Sequence, residues 1–242
     1  MTLSDTVCSN RILFELFKPD KLVRLSRWVD IEGPVRILDL GCGGHSPRYF
    51  KTQFPHCKYT GVDHATYRNT LDDLSLADAY FEVNLDDSDL SFLPNKSYDL
   101  VVLSHVLEHL RNGRELLTCA ASKVDVGGFV YVSHPHSDSV NFPHRADTLN
   151  FYDDVTHISI WSPNEARYIL SEMGFEIIES GRTRLARNLL MMPIKAAISP
   201  FLGGVTGPML WDLYGFEEFV IARNNSALDS QAVSVYPEEP AI

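Results

Sequence analysis

The chain has no apolar run long enough to cross a bilayer as a helix. Its longest apolar region, Leu189 to Leu202, is interrupted by Pro193, Lys195 and Pro200, and falls short of the about 20 residues a span requires. No N-terminal apolar core flanked by basic residues is present, so no secretory signal is expected. Cysteine is scarce and irregularly placed: Cys8, Cys42, Cys57 and Cys119 form no C-x-x-C pair. That argues against a disulfide framework and suits free thiols in a reducing cytoplasm. Positive charge is short as well, with 21 Lys and Arg against 32 Asp and Glu and a formal net charge of -11. A broad nucleic-acid-binding face needs clustered cations, so no nucleic-acid partner is expected. Internal repeats are absent. What remains is the composition of an ordinary globule: 242 residues, 45% hydrophobic and 22% charged, enough for one α/β domain with a substantial core.

The stretch Val35 to Pro47, VRILDLGCGGHSP, organises the rest. An apolar run stops abruptly at a cluster of glycines, as a buried parallel strand does when its backbone turns hard against a ligand. G-x-G turns also open dinucleotide-binding folds, where bare amides receive a pyrophosphate. Asp39 separates the two cases, because a carboxylate two residues before Gly41 repels a phosphate and suits an ammonium group. Ser46 stands where the dinucleotide pattern has its third glycine. A nicotinamide oxidoreductase is therefore disfavoured, and the ligand expected is cationic near the loop with a ribose further along. S-adenosylmethionine fits that description. Asp63 ends the next apolar run, 22 residues beyond Gly41, where an acid can bind ribose hydroxyls.

Along the chain, apolar residues recur at helical spacing from Asn10 to Asp30 (Ile12, Leu13, Leu16, Phe17, then Leu22, Leu25, Val29), with Pro19 opening a second helix. A short helix is expected over Pro47–Phe54 and a second strand over Lys58–Asp63, while Thr66–Asp78 is indistinct. Ala79–Asn84 and Tyr98–Ser104 read as strands, the latter apolar enough to be buried on both faces. A helix lies within His105–Lys123, broken near Asn112-Gly113, before a fifth strand at Phe129–Ser133. Ser162-Pro-Asn-Glu165 is a capping box for a helix over Pro163–Met173 with Gly174 as its C-cap. Phe175–Ser180 and Phe216–Ala222 are the last strands, and the polar tail from Asn224 to Ile242 is expected to be disordered. Strands alternating with helices imply a parallel, doubly wound sheet.

Four segments together, ILDLGCG (Ile37–Gly43), GVD (Gly61–Asp63), YDLVVLSHVLEHL (Tyr98–Leu110) and VGGFVYVSHP (Val126–Pro135), resemble the class I S-adenosylmethionine-dependent methyltransferases. The resemblance covers residues 35 to 135 well and the remainder loosely. It implies a Rossmann-like, mostly parallel seven-stranded sheet with its last strand antiparallel, and a cofactor across the carboxyl ends of the first strands. Carried over by position, Asp39, Gly41 and Gly43 line the methionine end of the cofactor, Asp63 holds the ribose, and Asn84 with Leu85 faces the adenine. Asn84 stands where an aspartate is frequent and still offers a carbonyl acceptor. His45 replaces a frequent glycine and is expected to narrow the loop, and His105 completes the cofactor-contacting set. The domain is expected over residues 35–223, with residues 1–34 as a helical cover and 224–242 as the tail.

His105-Val-Leu-Glu108-His109 also spells the inverted zinc-peptidase signature. On a helix its two histidines share a face and can chelate a metal. A peptidase needs a third ligand from a neighbouring helix, and the sequence offers no convincing one. Helix capping and cofactor contact are the plainer uses; no metal is assigned, and Glu108 with His109 stays open as a cation-binding pair. The basic stretch Arg182, Arg184, Arg187 and Lys195 beside Leu189–Met192 is either a solvated helix face or a seat for an anionic or lipid-linked acceptor.

The activity expected is methyl transfer to a small-molecule or sugar-like acceptor, most often at oxygen, in a cytoplasmic enzyme. A non-catalytic cofactor-binding module of the same fold is the alternative. The 28 residues from His134 to Trp161 exceed an ordinary connection of about 2–6 residues. With Phe142, Phe151, Tyr152, Ile158, Ile160 and Trp161 they are too apolar for a linker, so a lid or acceptor insertion is expected over 136–161. His134 at the strand end and His157 in the lid are the candidate proton acceptors, because imidazole is matched to proton removal near neutral pH. His136, His144, Asp153 and Asp154 are in reserve, and hydrogen bonding of the loop to itself is the competing use of all of them.

Overall fold

Strands as apolar as VRILDL and YDLVVLS must be covered on both faces, and the computed structural model shows how. It describes residues 14–15, 18–145, 149–184, 189–190, 192–193 and 207–225. The strands are β1 (Arg36–Leu40), β2 (Lys58–Asp63), β3 (Ala79–Glu82), β4 (Tyr98–Ser104), β5 (Val124–Pro135), β6 (Phe175–Arg182) and β7 (Glu217–Asn224). They form one sheet in the order β3-β2-β1-β4-β5-β7-β6. β1 to β5 pair in parallel, and β7 runs antiparallel to both β5 and β6. This is the doubly wound, Rossmann-like architecture anticipated, last strand included.

Period-two alternation divides the sheet's side chains between two cores. On one face Leu38, Leu40, Val101, Leu103, Val130 and Val132 pack against helices α4 (Gly113–Ser122) and α5 (Glu165–Glu172). On the other, Ile37, Leu100, Val102 and Tyr131 meet Leu22 and Leu25 of α1 (Asp20–Leu25) and Phe50 of α2 (Ser46–Gln53). Arg24 fastens α1 to the sheet by a 2.9 Å ion pair with Glu179 and by its guanidinium lying 3.6 Å from the Phe219 ring centroid. The helical pattern from Ile12 to Phe17 lies mostly outside the described residues, as do Arg187, Lys195 and residues 226–242.

Several boundaries differ from the sequence reading. The indistinct segment before β3 holds a helix, α3 (Leu71–Ser75), opened by a reciprocal capping box between Thr70 and Asp73; its polar composition hid it because its role is to cap and pair rather than to fill a core. β5 begins at Val124, not Phe129: Gly127 takes φ +80° and turns within the strand. The segment after β4 is a 3-10 turn, Leu107–His109, followed by α4 after the break at Gly113. A Cβ on Gly113 would lie 2.9 Å from Cζ2 of Trp161, so the helix opens on a glycine where Trp161 leaves little room for a side chain. The capping box before α5 is half formed: Ser162 N–H donates to Glu165 Oε2 at 3.3 Å, while Asn164 occupies the cap and its side chain accepts from Arg167 instead of from the helix backbone. β7 extends through Asn224, and the apolar helix α6 (Gly207–Tyr214) precedes it.

Candidate functional site

The ligand-facing edge of an open parallel sheet is at the carboxyl ends of its strands, and β1, β2 and β4 end there side by side. The backbone leaves β1 through Gly41 (φ +74°), Gly44 (φ +64°) and His45 (φ +64°). A Cβ on Gly41 would lie 2.3 Å from Val106 Cγ2, so both conformation and space demand glycine. His45 adopts the left-handed conformation that its glycine-like position requires; its N–H donates to Asn69 Oδ1 at 2.9 Å, and its ring contacts Asp73 at 2.7 Å. The ring therefore turns toward α3 rather than narrowing the loop. Asn69 also donates to the Cys42 carbonyl at 3.0 Å, and Tyr67 packs where a Cβ of Gly43 would stand. Cys42 is fully buried with its sulfur against Gly61, and burial, then the Asp39 and Asp63 carboxylates, push its thiol far up. It fills space and is not a nucleophile.

Asp39 is wholly buried. Its Oδ2 accepts from Ser46 Oγ at 2.6 Å and from Tyr59 OH at 2.7 Å, whereas Oδ1 has no hydrogen-bond partner among the described residues. Lys21 Nζ donates to the same Ser46 hydroxyl at 3.1 Å. A buried carboxylate oxygen without a partner is costly, and the chemistry that relieves it is a donor or a cation, so the donor set fits the ammonium end of S-adenosylmethionine. Asp63 is buried at the end of β2 and accepts from the backbone N–H and ring of His64 at 2.8 and 3.0 Å. Burial raises its pKa above the ordinary carboxyl value, against those bonds. Asn84 is exposed in the turn after β3, where its amide bonds Asp87 and the Asp86 N–H. Leu85 is in the core, its carbonyl accepting from Asn112.

At the end of β4 the backbone reverses through His105 (φ +56°). His105 Nδ1 donates to Glu108 Oε1 at 3.1 Å and Nε2 to Glu217 Oε2 at 2.8 Å, with Trp211 and Phe216 against the ring. Burial would lower its pKa, but the two carboxylates outweigh it and raise the imidazole to about 10. The same imidazolium holds both glutamates below the usual range in spite of burial. Thr183 supplies a further donor to Glu217 at 2.7 Å. Both ring nitrogens of His105 are spent on carboxylates, and Trp211 and Phe216 cover its ring.

The long connection after β5 holds two 3-10 turns, Ser137–Asn141 and Phe151–Asp153. Its apolar residues divide: Leu149, Phe151 and Trp161 are buried, while Tyr152, Val155, Ile158 and Ile160 are exposed. Ile158 and Ser159 N–H groups both donate to the Glu108 carbonyl, at 2.8 and 3.0 Å. Asp153 gathers N–H bonds from Arg145, Leu149 and Asn150 and the ring of His144, so His144 and Asp153 bind the loop to itself. His136 accepts from Asp138 N–H and Arg182. Asp154 bonds Thr156. His134 is buried against Trp161, and His157 lies near His109 with ring centroids 4.8 Å apart and planes tilted by 55°. Each uses Nδ1 on a carbonyl, of Pro135 at 3.0 Å and Phe151 at 2.7 Å. A carbonyl only accepts, so the proton is on Nδ1 and Nε2 keeps its lone pair. Burial lowers both pKa values and keeps both rings neutral.

Sequence reasoning missed Tyr59 and Ser46, the hydroxyls on Asp39, and Glu217, 112 residues from the histidine it binds. Tyr59 carries a weak signal, a hydroxyl on the strand beside Asp39; Glu217 carries none, since only the sheet order brings β7 beside β5. Residues 10–180 match a family described as methyltransferase domain. An uncharacterized protein of Methanocaldococcus jannaschii is 25% identical over 163 residues, 64% of this chain, and the chain spans 44% of that relative's length. A crystal structure of an S-adenosylmethionine-dependent methyltransferase from Archaeoglobus fulgidus matches with TM-score 0.51 and 23% identity, over 84% of this chain and 91% of that one. One from Mesorhizobium loti matches with TM-score 0.59 and 17% identity, over 86% and 99%. No described helix is long and apolar enough to cross a membrane. The match over residues 10–180 and the sheet order together place this chain in the class I S-adenosylmethionine-dependent methyltransferase family.

Proposed function

We propose that the chain transfers the sulfonium methyl group of S-adenosylmethionine to an oxygen of a small or sugar-like acceptor held beneath the lid. The observation that carries this reading is the pair of buried carboxylates, Asp39 and Asp63, at adjacent strand ends beside the left-handed glycine turn. Asp39 Oδ1 receives the ammonium group, Asp63 the ribose hydroxyls, and Asn84 with Leu85 the adenine, while Gly41 and Gly43 let the backbone approach. His105 stands at the end of β4 beside the cofactor and fixes the turn there by its bonds to Glu108 and Glu217. Bound cofactor supplies an activated methyl group with its own leaving group, so the protein's share is alignment and removal of the acceptor's proton.

The proton goes to a neutral imidazole with a free Nε2, a description that His134 and His157 both meet. The lid's buried side, Leu149, Phe151 and Trp161, excludes water from the transfer. Residues 136–161 serve as the acceptor cover and 35–223 as the catalytic domain, with α1 packed on one face of the sheet. Oxygen is favoured over nitrogen as the target because a hydroxyl needs a base to take its proton in the transition state, and bases are what the lid and strand ends present. The test is formation of S-adenosylhomocysteine from candidate acceptors by wild type, His134→Ala and His157→Ala, with cofactor affinity measured in parallel. Loss of turnover in at least one variant with cofactor affinity retained is expected. Normal turnover in both would send the acceptor's proton by another route, and an absence of turnover in wild type with every acceptor class would favour a cofactor-binding module.

A further inference from the structure

The lid meets the β4 turn at more than backbone hydrogen bonds. Glu108 and His109 from the turn and His157 from the lid each place one ligand-type atom so that all three lie within 4.8 Å of one another. We propose that these three side chains bind a divalent first-row transition cation that latches the lid to the end of β4.

Four observations carry the assignment. Glu108 is fully buried, and its Oε2 has no hydrogen-bond partner among the described residues while Oε1 is taken by His105. An unpaired carboxylate oxygen in the interior wants a cation or a donor. His157 fixes its Nδ1 proton on the Phe151 carbonyl at 2.7 Å, leaving Nε2 as a lone-pair nitrogen. His109 does likewise, its Nδ1 facing the Thr156 carbonyl at 3.3 Å and the Thr156 hydroxyl at 2.9 Å. Metal-binding histidines are commonly oriented in this way, the far N–H held by a carbonyl or carboxylate. The ligands come from both sides of the lid boundary, and the Ile158 and Ser159 N–H bonds to the Glu108 carbonyl hold that boundary in register.

Two imidazoles and one carboxylate select zinc, cobalt, iron or manganese over magnesium or calcium, whose ligands are oxygen. Bond lengths of about 2.0–2.2 Å ask the three atoms to draw in by roughly an ångström, within reach of side-chain rotation. Three protein ligands leave at least one position for water or another oxygen. This is not the pairing that the motif suggests on its own, because His105 turns away to Glu217 and the lid supplies the third ligand in its place. With His157 committed to the ion, His134 is the imidazole left to take the acceptor's proton; that consequence rests on the methyl-transfer reading, and the ion binding does not.

The test uses the full chain stripped with chelator and titrated with Zn2+, and separately with Co2+, by calorimetry and visible absorption. Expected are one cation per chain, a cobalt spectrum of nitrogen and oxygen ligands without thiolate charge transfer, and resistance to competition by excess Mg2+. His109→Ala and His157→Ala are each expected to weaken binding at least tenfold, while Cys119→Ser leaves it unchanged. His109 is half-buried, so His109→Ala reports on the ion even if Glu108→Gln fails to fold. Bound Zn2+ should also slow proteolysis within the lid of wild type and not of either histidine variant. Absence of saturable binding, binding that survives loss of both histidines, or binding lost with Cys119 would overturn the proposal; none of these outcomes bears on whether the enzyme binds S-adenosylmethionine.

Discussion

Around the glycine turn, the hydrogen bonds of Asp39, His45 and Asp73 join residues no more than 28 positions apart. Farther along the same sheet edge, the His105 clamp joins the end of β4 to Glu217, 112 positions away. The first region is built by local backbone geometry and short-range capping, the second by a buried charge cluster that exists only once β7 has paired with β5. A motif can therefore encode the glycine-turn side in one stretch of chain. The clamp side depends on the assembled sheet, and the two should respond differently to substitution.

The largest difference is expected at the clamp. His105→Ala leaves Glu108 and Glu217 buried without their shared cation, and breaking a buried ion pair in this way costs about 3–5 kcal/mol. Urea denaturation should show a loss of that size, and a loss under about 1 kcal/mol would mean that the carboxylates are not ionised in the folded chain. Next comes Asp153, whose carboxyl is brought down to about 2 by the N–H groups of Asn150, Arg145 and Leu149 and by His144, against the opposing effect of burial. Its folded pKa lies below the ordinary aspartate value of about 3.9. The stability it contributes is therefore present above that value and is lost as pH falls toward about 2. Asp153→Asn should lower the unfolding temperature at about pH 5, and its gap from wild type should close toward pH 2; a gap independent of pH would assign the effect to shape alone. Smallest is Cys42→Ala on the cofactor side, expected to cost about 1 kcal/mol or less and to leave cofactor affinity unchanged. Wild-type Cys42 should resist alkylation at neutral pH until the chain unfolds.

The same contrast explains what could be read from the sequence. The apolar run into Gly41, the acid ending β2 and the continuous apolar β4 each follow from local pattern, and all three elements are where the pattern puts them. α3 was hidden because it is only five residues long, too short for a helical period, and is set by the capping bonds of Thr70 and Asp73. α6 was hidden because its apolar residues merge with those before it, without a periodic break. In the lid, burial of Phe151 and Trp161 could be inferred from their size, but which histidine faces which partner could not. His144 binds the loop to itself, His136 ties it to Arg182 of β6, and His109 and His157 meet across the boundary. That sorting depends on backbone carbonyls no spacing rule places.

Calorimetric titration of S-adenosylmethionine into wild type, Asp63→Ala and His134→Ala tests the division most directly. Asp63→Ala should lose a charge-assisted contact worth about 1.5–3 kcal/mol, or roughly ten- to a hundredfold in affinity, while His134→Ala binds the cofactor as wild type does and is impaired only in turnover. Wild-type affinity in Asp63→Ala, or cofactor binding lost in His134→Ala with the fold intact, would contradict a cofactor side built on Asp63 and an acceptor side built under the lid.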